Sequence, residues 1–201
     1  MKTQSILLTK PLKEVPRRIV FKSPEKYRVF DNLNGTKTYA HIYNMVDVET
    51  KEVVGTMKAG PVEYKNRRWQ IYPMDIPYKS YYVAYVESAD SGFGYGSDLL
   101  KLAETESRRT GCEGRVHLTA SRVYTPSRPP HLFYRKRGFV SVSPYLNEVM
   151  DFYISMGKPL PSEYADNIEM YLPVAMRKTG TQSKLKMSSI VNFFKDKFTK
   201  K

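Results

Sequence analysis

The chain has 201 residues and a mass of 23.3 kDa, a size typical of one large domain or one domain with tails. Its single cysteine, Cys112, excludes an intramolecular disulfide framework and a zinc site built on several cysteines, which favours a reducing compartment. No apolar run approaches the roughly 20 residues that span a bilayer, and residues 1–10 are too weakly apolar for a secretory signal. We therefore predict a cytoplasmic protein.

Basic residues concentrate at the two ends of the chain. The formal net charge is +13, of which residues 1–28 hold +6 and residues 184–201 hold +5, so that the middle holds only +2. A groove that binds nucleic acid along the folded body would place its charge in the middle. We therefore predict no specific nucleic-acid binding, and nonspecific contact of the basic ends with acidic surfaces stays open.

The first half of the chain has the composition of strands rich in β-branched and aromatic residues. Pro24 and Gly35, with two asparagines between them, predict a loop over residues 23–37. Strands are predicted, in chain order, at 17–22, 39–47, 52–58 and 81–87.

The second half alternates helices and strands. Leu99, Leu100, Leu102 and Ala103 form the apolar stripe of a helix over residues 95–110. The remaining elements are a strand at 115–120, helices at 129–137 and 145–156, and a strand at 168–172. This order predicts the α+β class with a partly parallel sheet.

A glycine-rich turn joins the strongest strand to the first helix, at Ser91-Gly-Phe-Gly-Tyr-Gly96. Glycines at alternate positions let a ligand approach the backbone, and a helix N-terminus offers unpaired amides and a partial positive charge. Phosphate is the ligand that such a turn favours, although a simple connector has the same pattern. A mononucleotide P-loop is excluded because no Gly-Lys-Ser/Thr follows, and residues 119–121 lack the acid of a dinucleotide site.

Two motifs together carry a resemblance to a known family. The turn Gly92-Phe-Gly-Tyr-Gly96 with Leu99-Leu100, and Tyr134-x-x-x-Gly138-Phe139 further on, resemble the GNAT superfamily of N-acetyltransferases. The resemblance implies a mixed, mostly antiparallel central sheet with a splayed parallel strand pair, flanked by helices. It also implies acetyl-CoA as the co-substrate.

The resemblance implies that the coenzyme binds between the two parallel strands, 81–88 and 115–120. The backbone of Val86 and Ser88 would bond the pantetheine arm, and the turn's amides would hold the diphosphate, namely those of Gly92, Phe93, Gly94, Tyr95, Gly96 and Ser97. The chain departs from the family pattern in three places, one of which is Ser121, where an asparagine often follows the second strand of the pair. Ser91 stands where Arg or Gln usually begins the phosphate turn, and residues 23–37 are too few for the two helices that commonly line the acceptor pocket.

The resemblance also implies catalytic residues. Tyr134 matches the family tyrosine that protonates the departing thiolate, and its alternative role is that of an ordinary core tyrosine. Glu87 could take a proton from an ammonium substrate, or it is a solvated carboxylate at a strand end. His117 is either a base near neutral pH or a hydrogen-bonded histidine of the sheet. The histidines form no metal-ligand pattern, so we predict no metal.

The implied function is transfer of an acetyl group to a primary amine by direct attack in a ternary complex. A catalytically silent GNAT-like module that binds CoA or a partner through its basic ends is the alternative. The predicted domains are a basic N-terminal segment at 1–16, the GNAT-like domain at 17–175, and a basic linker with an amphipathic helix at 176–201.

The sequence pattern near the C-terminus supports the predicted amphipathic helix within residues 176–201. Apolar residues recur at helical spacing, at Met187, Ile190, Val191, Phe194 and Phe198. Such a helix packs on its own domain, joins two copies in a homodimer, or binds an anionic surface or partner.

Overall fold

The computed structural model describes residues 17–31, 36–65, 71–89, 92–123 and 129–173. Within these ranges the chain forms one sheet of seven strands and three α-helices. The elements are β1 (Arg18–Asp31), β2 (Thr36–Asp47), β3 (Val53–Tyr64), β4 (Tyr78–Ser88), α1 (Tyr95–Arg109), β5 (Val116–Ala120), α2 (His131–Lys136), β6 (Val140–Ser141), α3 (Pro144–Ser155) and β7 (Ile168–Leu172).

The strand order in the sheet is β1-β2-β3-β4-β5-β7-β6. Five of the six neighbouring pairs are antiparallel, and β4 with β5 is the parallel pair of the described sheet. Helix α1 connects these two parallel strands, as a crossover between parallel strands requires. The predicted α+β class, with a mostly antiparallel sheet and one parallel pair flanked by helices, is confirmed.

Strand β1 is longer than predicted, because it continues from Lys22 to Asp31 through the segment expected to be a loop. A register shift between Lys22 and Lys26 marks a bulge, and Pro24 lies inside it. Proline cannot donate to a sheet ladder, but an edge strand with a bulge tolerates it. Pro24 therefore does not end the strand. Residues 32–35, outside the described ranges, are the only ones between β1 and β2 in the sequence, which is too few for the two helices that the resemblance implies at this point.

Two apolar clusters lie on opposite faces of the sheet. The main core joins α1, α2 and α3 to the strands and contains Tyr81, Val83 and Leu118. Tyr82 points the other way, as strand alternation requires, into a second cluster with Val62, Tyr64, Ile71, Tyr72 and Tyr78. The main face therefore carries the helices, and the opposite face carries an aromatic cluster near the beginning of β4.

The predicted segments 1–16 and 176–201, including the amphipathic helix, lie outside the described residues. Among the residues that are described, no helix combines the length and apolar character needed to cross a bilayer. The described part also contains no group of three His, Cys, Asp or Glu side chains arranged to hold a metal ion.

Candidate active site

The parallel pair opens along its length. Tyr81–Val83 of β4 pairs with Val116–Leu118 of β5. Beyond this point, β4 continues to Ser88 paired with β3 alone, and residues 119–120 of β5 keep only the pairing with β7 that runs along the other edge of β5. The two strands therefore separate after Val83, and the second half of β4 borders a gap.

A β-bulge lies at the point where the strands separate. Val83 pairs with Ala59 and Tyr85 pairs with Lys58, so two steps on β4 match one step on β3 and Ala84 is the extra residue. A bulge reverses the alternation of side chains and backbone groups beyond it. This is why Val86 packs against the main core, as Val83 does, although the two residues are an odd number of positions apart.

The bulge determines which backbone groups of β4 face the gap. The amide of Ala89 donates to the carbonyl oxygen of Val54 in β3 at 3.0 Å. In an antiparallel ladder the backbone groups alternate in direction, so Glu87 also faces β3, while Val86 and Ser88 face away from it. The amides and carbonyls of Val86 and Ser88 are therefore directed to the gap.

The N-terminus of α1 presents unpaired amides. Gly94 caps the helix in a left-handed conformation with φ 81°, and the structure shows no side-chain cap there. The first amide with a helical partner is that of Asp98, which donates to the Gly94 carbonyl at 3.1 Å. The amides of Tyr95, Gly96 and Ser97 precede this bond and have no partner within the helix. A methyl group added at Gly92 would meet no atom of the described residues within 4 Å.

Gly96 lies where the turn, the gap and α2 meet. A methyl group placed on Gly96 would lie 3.3 Å from Cζ of Phe133 in α2 and 3.9 Å from Oγ of Ser88. The glycine therefore allows α1 to approach α2 and the end of β4 closely. Phe133 was not a predicted site residue, because its contact with Gly96 depends on the tertiary packing of α1 against α2.

Tyr134 follows Phe133 on α2 and is 8% exposed. Burial raises the pKa of its hydroxyl to about 12, so the group stays protonated at neutral pH. Its ring packs against Phe133 and Phe139, with centroids 5.3 and 5.9 Å away. No described residue forms a hydrogen bond with its hydroxyl. Helix α2 is held on α3 by two bonds from Arg135 to Asp151, of 2.8 and 2.6 Å.

Glu87 lies on the other face of the sheet. Since Val86 and Ser88 direct their side chains toward the main core and Gly96, the intervening Glu87 points away from them. Its side chain is exposed, and it accepts a hydrogen bond from the hydroxyl of Tyr85. The ammonium of Lys58 lies 5.6 Å from the Tyr85 ring centroid on the same face. Glu87 and Tyr134 are thus reached from opposite faces of the sheet.

His117 is fully buried in the second cluster, away from the gap. Its Nε2 lies 2.7 Å from the hydroxyl of Tyr64, and its Nδ1 lies 2.9 Å from Oγ of Ser80. Its ring stacks on Tyr82 with centroids 5.0 Å apart. These contacts favour the interpretation of His117 as a hydrogen-bonded histidine of the sheet.

Arg18 of β1 contacts the glycine turn and was not predicted. Its Nη1 donates to the carbonyl oxygen of Phe93 at 2.8 Å, and its Nη2 pairs with the carboxylate of Asp98. The guanidinium also lies 5.1 Å from the ring centroid of Tyr95. No local pattern indicates these contacts, since about 75 to 80 positions separate Arg18 from its partners.

A groove of about 340 Å³ lies at the other end of the parallel pair, lined in part by Tyr78, Lys79 and Arg115. The guanidinium of Arg115 is already engaged there, by the Lys79 carbonyl at 2.6 Å and by Glu113 at 2.6 Å. This groove contains none of the predicted site residues, so we assign the candidate site to the gap.

No protein-family model and no curated protein matches the chain. Three solved structures that align with it are described in terms of acetyl transfer or acetyl-CoA. A histone acetyltransferase HPA2 and related acetyltransferase from Corynebacterium glutamicum is 20% identical, with 70% of this chain and 67% of that chain covered and a TM-score of 0.36.

A mosquito arylalkylamine N-acetyltransferase like 5b is 15% identical, with 65% of this chain and 72% of that chain covered and a TM-score of 0.39. AtaTR bound with AcCoA is 16% identical, with 65% and 69% covered and a TM-score of 0.37. Because identities and TM-scores are low, the role of each residue has to follow from the geometry of this chain.

Proposed function

We propose that the chain is an acetyl-CoA-dependent N-acetyltransferase that transfers the acetyl group to a primary amine by direct attack in a ternary complex. One observation carries the proposal. The open half of β4, the glycine turn at the start of α1, and α2 with Tyr134 meet around Gly96. The proposal is supported by this meeting of three parts at one gap in the sheet: a turn suited to phosphate, backbone groups of β4 that lack a strand neighbour, and a protonated tyrosine that would be the proton donor.

The turn and the gap fit the two polar parts of the coenzyme. The amides of Tyr95, Gly96 and Ser97, with those of Gly92, Phe93 and Gly94 before them, would hold the diphosphate at the positive end of the α1 dipole. This placement is supported by Gly92, where an added methyl group would meet no atom of the described part of the chain within 4 Å. The backbone of Val86 and Ser88 would pair with the amides of the pantetheine arm as a missing strand neighbour would.

Acetyl-CoA, when bound, supplies a thioester carbonyl that an uncharged amine can attack. Glu87 would take the proton of the entering ammonium group, directly or through water, on the face opposite α1. As the new C–N bond forms and the C–S bond breaks, Tyr134 would give its proton to the sulfur. The nitrogen would then lose its second proton through water to the tyrosinate, which restores the phenol and leaves an amide and a thiol. The raised pKa of Tyr134 keeps that proton available throughout the neutral range. Acceptor and coenzyme would thus enter from opposite faces and meet in the gap.

We extend the proposal to the rest of the chain. Residues 17–175 form the catalytic domain, and the basic segments 1–16 and 176–201 are extensions that contact the chain's own surface, a second copy or an anionic partner. The protein acts in the cytoplasm.

The decisive experiment combines binding with turnover. Calorimetric titration with acetyl-CoA tests the turn, and release of the CoA thiol tests transfer with a panel of a small amine, a polyamine, a free lysine and a peptide N-terminus. Thiol release that depends on one of these amines supports the proposal. Binding of acetyl-CoA without release on any amine favours the silent module instead. Absence of binding to acetyl-CoA would overturn both.

A further inference from the structure

Arg18 brings a cation to the glycine turn from the edge strand of the sheet. Its guanidinium bonds the carbonyl of Phe93 and pairs with Asp98, and a methyl group added at Gly94 would lie 3.7 Å from its Nη2. The Arg18 side chain is 18% exposed, so most of it is enclosed by these contacts. The strand β1 thereby fixes the conformation of the turn on the side away from the gap.

The negative charge of Asp98 makes a nearby cation necessary if the N-terminus of α1 is to bind an anion. Its carboxylate lies in the first turn of α1, where it stabilises the helix but opposes any second anion at the same N-terminus. Lys101 is its other cationic neighbour, at 3.4 Å, but the Lys101 side chain is 73% exposed and is screened by water. Arg18 is therefore the main compensating charge for Asp98.

We propose that Arg18 is a positioning residue for the coenzyme diphosphate, an inference that rests on the proposed function. Its guanidinium neutralises the carboxylate of Asp98 and hydrogen-bonds the carbonyl oxygen of Phe93. The first amides of α1 can then face a bound anion without a competing negative charge. The resemblance to the GNAT pattern expects a long polar side chain at position 91, where this chain has Ser91. Arg18 gives the turn a cation through a tertiary contact, and it does so without touching the phosphates.

The test compares CoA with pantetheine, which lacks the diphosphate, by calorimetry on the full chain. In Arg18→Gln the affinity for CoA should fall about tenfold, since a charge near a helix N-terminus contributes on this scale. The affinity for pantetheine should stay at its wild-type value. In the double variant Arg18→Gln/Asp98→Asn, affinity for CoA should return to within about threefold of wild type, because the uncompensated carboxylate is gone.

A second ion pair between the same strand and helix provides a matched control. Lys22 Nζ lies 3.0 Å from Glu106 Oε2, two turns along α1 from Asp98. Lys22→Gln should lower the melting temperature of the free protein while CoA affinity stays unchanged. If Arg18→Gln is too unstable to purify, Asp98→Asn alone should bind CoA at least as tightly as wild type, and weaker binding would contradict the inference.

Two results would overturn the inference. One is equal CoA affinity of Arg18→Gln and wild type, which would make Arg18 a purely structural contact. The other is a double variant as weak as Arg18→Gln, which would mean that Arg18 binds the phosphates directly. Both leave the proposed function intact, because it fails only if the wild-type protein does not bind acetyl-CoA or release its thiol.

Discussion

The two halves of β4 have different environments and different tasks. Residues 78–83 are almost all buried and pair with β3, and Tyr81–Val83 also pair with β5. They contribute Tyr81 to the main core and Tyr82 to the aromatic cluster. Residues 84–88 are half-buried, apart from the exposed Glu87, and lack β5 as a neighbour. The closed half stabilises the sheet, and the open half leaves its backbone free for a ligand. Substitutions should therefore affect stability in one half and acetyl transfer in the other.

Tyr134→Phe is expected to have the largest effect. Loss of the hydroxyl removes the proton donor, so the rate of CoA release should fall about 100-fold or more. Stability should change little, because no described residue bonds that hydroxyl. Discontinuous assays of the released CoA thiol measure the rate. The control is Tyr145→Phe, since Tyr145 is an exposed tyrosine of α3. A rate within threefold of wild type would remove Tyr134 from the mechanism.

His117→Leu tests the closed half. The substitution removes the hydrogen bonds that the buried imidazole makes with the hydroxyls of Tyr64 and Ser80, which should lower the free energy of unfolding by about 2 kcal/mol. Denaturant unfolding measures this loss. The affinity for acetyl-CoA should remain at the wild-type value, since His117 lies away from the gap. An affinity that falls with stability would contradict the division of β4 into two halves.

Gly96→Ala tests the meeting point of the turn and α2. Alanine normally favours a helix over glycine by about 1 kcal/mol, but here the added methyl group would press on Phe133 at 3.3 Å. We expect acetyl-CoA to bind about tenfold more weakly, with a melting temperature near that of wild type. Gly111→Ala is the control, because Gly111 has φ 76° at the far end of α1 and should lose stability alone. If Gly96→Ala bound the coenzyme with unchanged affinity, the coenzyme would not bind at this turn.

Glu87→Gln should have the smallest effect. The exposed carboxylate is easily replaced by water, so transfer at neutral pH should slow by about fivefold. The deficit should shrink as pH rises toward the amine pKa of about 10, because more of the acceptor is already uncharged. Initial rates across pH 6 to about 10 measure this convergence. If the pH–rate profiles of Glu87→Gln and wild type stay the same distance apart, Glu87 positions the acceptor instead of taking its proton.

Local sequence patterns predicted most of the elements, because apolar periodicity and turn residues act over a few positions. The strand Ile168–Leu172 was predicted with its bounds, and α1 ends within one residue of its prediction. The prediction failed where contacts between residues far apart in the sequence determine the structure. Pro24 signals a break, yet its edge position lets β1 continue. The bulge at Ala84 depends on pairing with β3, and the contacts of Arg18 depend on the sheet placing β1 beside α1.

The extra residue in β4 also constrains how this chain can change in length. Losing one residue between Val83 and Val86 would remove the bulge and restore a one-to-one match with β3, so Val86, Glu87 and Ser88 would stay on their present faces. Losing two would instead turn every later side chain of the strand over, carrying Glu87 beneath α1 and turning Ser88 to the opposite surface. A deletion of one residue is therefore more tolerable here than a deletion of two.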